Sequence, residues 1–308
     1  MPVSSVAQTQ QVIQSLQQLE TQDNSLEQQL STGLKSQTYS GIAPQAAQLV
    51  NLNALASQQQ GFINTINTVN TQLTSMSQVT STMASLVEQF ASQLQTNAYN
   101  TDGSTIQTQA QALLAQVGDY LNTQGGEGYL FSGSATSTAP FDPSGLPNPG
   151  DLTTAVNGAP PAGYYQGNDD VASAQVDTNL NVQYGITADN TAFEQVVRVL
   201  NFLANSPPLD QSNPADVANV NTAEQMLTTA GTDLQTLTAN IGTNQSELNN
   251  ELQAHQQALT LAQGNIGNIE NADPATVITQ LDTLQTQLEA SYQTINMMQY
   301  LTLANYLK

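Results

Sequence analysis

The chain has 308 residues, 39 % of them hydrophobic and only 9 % charged, and its 24 acidic residues face only Lys35, Arg198 and Lys308, for a net charge of −21. Neutralising phosphates takes clustered Lys and Arg, so this balance argues against nucleic acid or an anionic membrane surface as a partner. With no cysteine in the chain, disulfides, zinc–thiolate sites and thiol catalysis are excluded. A polar fraction dominated by Gln, Asn, Ser and Thr fits well-solvated helices better than one large core.

Residues 1–30 lack a basic start, a continuous apolar stretch and a small-residue cleavage site, so they do not read as a conventional signal peptide. No apolar run approaches the ~18 residues that a membrane-spanning helix needs. Val12, Leu16, Leu19, Asp23, Leu26 and Leu30 instead form a four-three stripe interrupted by Asp23. Such a thinly apolar helix is marginal without burial against a partner. The acidic interruption has two readings, a register-fixing polar position or a local rotation of the helix.

Gly33, Gly41 and Pro44 break this first helix, and a second, over 45–57, leads into a long one. There Phe62, Ile66, Val69, Leu73, Met76, Thr80, Met83, Val87, Phe90 and Leu94 alternate by four and three, with Thr80 the one polar member. This is the narrow seam of a coiled coil, running for about 50 Å. A matching seam lies far away in sequence, where Leu227, Leu234, Ile241, Leu248, His255, Ala262 and Ile269 recur every seven residues. Leu237, Leu252, Leu259 and Ile266 fill companion positions, with a slip over 244–252 that reads as a stutter. The two seams are expected to pair within the chain, with an intermolecular coiled coil as the alternative.

Between them, 99–104 reads as a turn and 105–122 as a helix burying Ile106, Leu113, Val117 and Leu121. After Gly125-Gly126-Glu127-Gly128 the texture changes, and eight of the twelve prolines fall between Pro140 and Pro208. Residues 129–185 are expected to form a small irregular β region, with strands at 129–131, 171–176 and 180–184. A helix follows over 191–203, then a loop through Pro207, Pro208 and Pro214. The last helix starts at Asp273 or Ala272 with Pro274 in its first turn. It carries Val277, Leu281, Leu284, Leu288, Tyr292, Ile295 and Met298. Its end, with Tyr300, Leu301, Leu303, Tyr306 and Leu307, is among the most apolar parts of the chain and marks an interaction surface.

Catalytic and metal chemistry finds little support. His255 is the single histidine and sits on a seam, without the partner ligands zinc requires. Asp169 and Asp170 lie in a Gly/Asn turn without the spaced acidic loop of a calcium site. The glycines at 125–128 lack the Lys and the following helix of a phosphate loop, and are expected to permit a bend. No nucleophile elbow is present, so the expectation is a non-enzyme with no cofactor and no metal.

Two stretches, LEQQLSTGLKSQTYSGIAPQAAQLVNL at 26–52 and IENADPATVITQLDTLQTQLEASYQTINMMQYLTLANYL at 269–307, are similar to the N- and C-terminal motifs of the bacterial flagellin family. The chain resembles that family over nearly its whole length. GGEGYLFSGSATSTAPF at 125–141, YYQGNDD at 164–170 and VQYGITADNTAFEQVV at 182–197 look more like its hook–filament junction members, the hook-associated proteins, than like long filament flagellins. Short alphaproteobacterial flagellins share these motifs.

The resemblance implies a mainly α fold, a long antiparallel coiled-coil rod built from the N- and C-terminal halves with a small inserted β region. Residues 1–37 and 275–308 would form a terminal assembly coiled coil, 38–128 and 190–274 the rod, and 129–189 the insertion at its tip. It implies a structural subunit exported unfolded through the flagellar type III channel and assembled outside the cell at the hook–filament junction. Implied partners are other flagellar subunits (hook-associated proteins and flagellin), further copies of itself and an export chaperone. Alternatives are a filament-forming flagellin and a secreted coiled-coil adaptor. Leu16, Leu19, Leu26, Leu30, Leu281, Leu288 and Ile295 are the expected assembly contacts, and removal of 132–185 should leave assembly largely intact. Flagellins seen by the innate flagellin receptor carry arginines in the helix matching 84–92, where this chain has Leu86, Val87, Glu88 and Gln89. Recognition by that receptor is therefore not expected.

Overall fold

The computed structural model describes residues 3–97, 103–147, 152, 163–210 and 212–306, so part of the expected turn at 99–104 and part of the expected β region, outside its three expected strands, lie outside the described residues. It is mainly helical: α1 (Val3–Thr32), α2 (Ala46–Asn97), α3 (Gly103–Leu121), α4 (Thr191–Asn205), α5 (Pro214–Glu270) and α6 (Pro274–Tyr306). Two short hairpins lie between α3 and α4: β1 (Gln124–Gly125) with β2 (Gly128–Tyr129), and β3 (Ser173–Asp177) with β4 (Leu180–Gln183). The chain divides into two compact units, Met1–Gln59 with Gln257–Lys308, and Gln60–Gln256.

In the second unit the two long seams meet within the chain, as their periodicity predicts. Ile66, Leu73, Met83, Val87 and Leu94 of α2 share one core with Leu227, Leu234, Ile241 and Leu248 of α5. Cross-helix hydrogen bonds fix an antiparallel register: Asn70 to Asn249 (3.2 Å), Gln245 to Thr74 (3.1 Å), Thr80 with Thr238 (2.8 Å) and Gln235 to Glu88. Thr80, the polar exception in the stripe, is fully buried. Its hydroxyl is satisfied by Thr238 and by the carbonyl of Ser77, so the seam tolerates it without an orphaned polar group. Glu88 accepts a hydrogen bond from Gln235.

The helix expected over 45–57 and the long one it leads into are one uninterrupted helix, and Gly61 in its interior costs only about 1 kcal/mol. α5 runs unbroken through the slip over 244–252, since a stutter shifts the seam without ending the helix. Pro214 opens α5, and the Asn213 side chain accepts the amide of Ala215 at 3.1 Å, a proline at the first turn behind an Asn cap.

The Gly-rich segment is a hairpin turn. Gly128 has φ +118°, and a Cβ there would stand 2.3 Å from the Thr136 carbonyl oxygen, so only glycine fits. Beyond Tyr129 the expected strand ends, and Leu130 and Phe131 are buried in a turn. Phe131 meets Phe193 of α4 edge to face at 5.5 Å, and the Ala188 amide donates to the Phe131 carbonyl at 2.8 Å. The Tyr164 hydroxyl donates to the Ala188 carbonyl at 2.8 Å, and burial raises its pKa well above that of an ordinary phenol. The inserted segment thus shares the core of this unit.

His255 is buried against Phe62, ring centroids 5.0 Å apart, with Nε2 2.8 Å from the Val176 carbonyl. Register in the β3–β4 hairpin shifts between Gln175 and Asp177. Val176 is therefore the bulged residue, and a bulge leaves backbone groups in need of partners outside the ladder. His255→Leu removes that partner and should cost about 1–3 kcal/mol. His255→Gln, which keeps a donor, should recover part of it, as read by urea denaturation.

Candidate assembly interface

The expected assembly residues belong to the first unit, where α1 packs on α6. Val277, Leu281, Leu284 and Leu288 of α6 are buried, at 4 %, 8 %, 7 % and 9 % exposure. Ile295 is half-buried, as are Leu16, Leu19 and Leu26 of α1, whereas Leu30 is 43 % exposed. The helices run antiparallel, since the Tyr292 hydroxyl donates to Glu20 Oε1 at 2.8 Å while α6 begins beside the end of α1. The Glu20 carboxylate that accepts this bond also raises the Tyr292 pKa above that of an ordinary phenol. Asp23 lies in the seam, as the stripe places it, and its Oδ1 is shielded from solvent with no hydrogen-bond partner among the described residues. A buried polar atom of this kind weakens the pair while restricting its register. The side chains of Tyr300, Leu301, Leu303, Tyr306 and Leu307 lie outside the described residues.

A backbone clasp closes one end of this pair. Gly33 ends α1 with φ +72° and its amide bonds the Gln29 carbonyl at 2.8 Å, a left-handed glycine C-cap. From there the Lys35 amide donates to the Glu270 carbonyl at 2.7 Å and the Ala272 amide to the Gly33 carbonyl at 2.8 Å. Lys35 Nζ reaches the Asn268 carbonyl at 2.5 Å, a cation at the negative end of α5. At the start of α6 Asp273 accepts from Ala275 N and Thr276 Oγ1, which holds its carboxyl below the usual range. Ile42, Leu49 and Ile269 form a small core in the same unit, with Leu52 and Ile266 packed on it. The heptads signal the apolar pairing, but nothing in local sequence signals the clasp, because its bonds join residues more than 200 positions apart.

Elsewhere the sites weighed in sequence resolve into ordinary structure. Asp170 accepts from nearby Asn168 and, across the insertion, from Ser134, and Arg198 pairs with Glu194 one turn away on α4. Among the described residues no cluster of three or more His, Cys, Asp or Glu is arranged to hold a metal ion. No helix among them is long and apolar enough to cross a membrane.

The sequence matches no protein-family model and no curated protein. Among solved structures, a Vibrio parahaemolyticus protein provisionally assigned as a flagellar hook-associated protein aligns with a TM-score of 0.55 at 17 % identity, over 75 % of this chain and all of its own. This chain shares its fold. FlgL from Bacillus cereus aligns at TM-score 0.38 and 15 % identity, over 82 % of this chain and 99 % of its own. The flagellar hook-associated protein 3 of Legionella pneumophila aligns at 0.46 and 14 %, over 72 % of this chain and 97 % of its own. The mainly helical architecture with a small inserted β region, expected from the sequence, is the one observed.

Proposed function

We propose that the chain is a structural, non-catalytic subunit of the bacterial flagellum, exported unfolded by the flagellar type III route and placed outside the cell at the hook–filament junction. Residues 1–37 and 275–308 would form the assembly coiled coil, 38–128 and 190–274 the rod, and 129–189 the insertion. Its partners would be hook-associated proteins, flagellin, further copies of itself and, before export, a chaperone. The observation that carries this reading is the α1–α6 pair, joined along a thin apolar seam with Leu30, Tyr292 and Met297 still exposed. It sits on a fold shared with a protein assigned to the flagellar hook. An incompletely covered seam is what an element completed by neighbouring subunits should show.

Negative-stain electron microscopy of the purified chain incubated with isolated hook ends, and separately with salt alone, tests the reading. A short layer that stops on the hook is expected. Long filaments would assign it to the filament instead, and a finite soluble complex with no attachment would favour an adaptor.

A further inference from the structure

The second unit contains a cavity of about 310 Å³ to which α1 and α6 contribute nothing. Gln72 and Met76 of α2 wall one side, and the β1–β2 turn, the segment after it and the residues around β3 wall the rest. Two exposed carboxylates, Glu127 and Asp170, stand at its edge, whereas Met76 and Tyr184 are 2 % and 8 % exposed. Each carboxylate is oriented through one oxygen. Glu127 Oε2 accepts from Gln72 Nε2 at 2.9 Å, and Asp170 Oδ2 accepts from Ser134 Oγ at 3.1 Å and Asn168 Nδ2 at 3.3 Å. The second oxygen of each bonds none of the described residues. The Tyr184 hydroxyl likewise bonds none of them, although the residue is more than nine-tenths buried and lines the cavity. Burial first, and the charge of Glu127 second, hold its proton above the usual phenol range, so at neutral pH it is an uncharged hydroxyl on a ring that can face a cation. The Ser134 amide donates to Asn168 Oδ1 at 2.8 Å, and a Cβ on Gly133 would stand 2.3 Å from the Asn168 carbonyl oxygen. This wall is therefore tied in place before any ligand enters.

We propose that this cavity takes the guanidinium of an arginine side chain presented by a different protein. It goes beyond the structural-subunit reading and does not depend on it. A guanidinium carries five N–H donors in a planar fork and stacks on aromatic faces, whereas an ammonium is a compact, strongly hydrated charge. Here the fork meets two oriented carboxylates and an unused phenolic oxygen, and Met76 and Leu130 offer apolar surface to its aliphatic stem. A volume of about 310 Å³ is at the small end of clefts that enclose a free ligand, so it suits one side chain whose backbone stays outside. A second copy has no arginine to give, because Arg198, the only one in the chain, is paired with Glu194. A net charge of −21 draws a basic partner towards the surface and repels another copy.

Titration of the full, ¹⁵N-labelled chain with N-acetyl-L-argininamide, followed by amide chemical shifts, tests this. Saturable shifts confined to the segments lining the cavity, around Glu127–Ser134 and Asp170–Ser173, are expected, with a Kd of about 1 mM or tighter. The uncharged isostere N-acetyl-L-citrullinamide should bind at least about tenfold more weakly. Glu127→Gln and Asp170→Asn each keep an acceptor for the neighbours that hold them and remove the charge, and each should weaken the arginine probe at least about tenfold. Tyr184→Phe keeps the ring, deletes the hydroxyl and should cost about threefold. Asp169→Asn removes the same charge next to the cavity without lining it, and should change binding less than about twofold. Unchanged urea midpoints show that these variants remain folded, and the citrulline comparison needs no variant at all. Equal binding of the two probes, or an Asp169→Asn effect as large as that of Glu127→Gln, overturns the proposal. So does calcium chloride binding at the same amides more tightly than the arginine probe, which would make the cavity a divalent-cation site. Agmatine binding at least about a hundredfold more tightly than the arginine probe would assign it to a free small molecule and overturn the protein partner.

Discussion

Leu288→Asp should abolish incorporation at hook ends while leaving Gln60–Gln256 folded. Leu288 is buried in α6, in the same row as Leu281 and Leu284. Tyr292 is level with Glu20, so one turn along, in the antiparallel register, Leu288 comes level with Asp23. The substitution deletes a buried leucine, worth about 2–3 kcal/mol, and sets a second carboxylate near one whose Oδ1 already lacks a partner among the described residues. A penalty of about 4 kcal/mol or more follows from the exposed-charge preference and the like-charge contact together. Hydrogen exchange read by mass spectrometry should show faster exchange throughout α1 and α6 with protection over 60–256 unchanged. Leu288→Met, nearly volume-conserving, should assemble normally. Wild-type attachment by the aspartate variant, with unaltered exchange in α1, would remove the α1–α6 seam from the mechanism.

The seams were legible because a four-three spacing places one residue per turn on a narrow line, and a line that long requires a partner. Thr80 shows where legibility ends. Sequence marks it as an exception, but its partner Thr238 lies off the heptad row of Leu234 and Ile241, so the hydroxyl pair is not visible until the helices are docked. The helix read over 45–57 and the long seam helix merge into one, α2, straight through Gly61. A glycine penalty of about 1 kcal/mol is small beside the burial on either side of it.

Terminal and inserted segments differ in the same way. The seam positions on α1 and α6 follow from periodicity alone, whereas the exposure of Leu30 depends on where α6 begins, which the Gly33–Ala272 clasp sets. In the insertion, alternation located β3 and β4 to within two residues. The Tyr-Leu-Phe run misled, since its hydrophobicity reflects burial of Leu130 and Phe131 in a turn rather than pairing in a sheet. Short apolar runs do not distinguish the two. His255 looked like a seam residue and is one, but its hydrogen bond is to a bulge in β3 that no heptad count reveals.

Phe193→Ala should destabilise the second unit by about 3–5 kcal/mol, the range for emptying a fully buried aromatic site. Phe193 has no exposed surface and holds Phe131 edge to face. Phe131 is tied through its carbonyl to Ala188, whose own carbonyl accepts the Tyr164 hydroxyl. The cavity would therefore open where α4 meets the inserted segment, and side chains held by backbone hydrogen bonds on both sides cannot collapse far into it. This also bears on deletion of 132–185, which removes Tyr164, Val176 and Val182 from the same core and exposes Phe193. Loss of assembly by the deletion would then reflect a damaged unit as readily as a missing contact, and the point variant separates the two. Phe193→Ala should lower the urea midpoint without loss of hook attachment in the absence of denaturant, and Phe193→Leu should recover most of the difference. Attachment lost by the alanine variant while its second unit remains folded would place α4 in the assembly contact and extend it beyond α1 and α6.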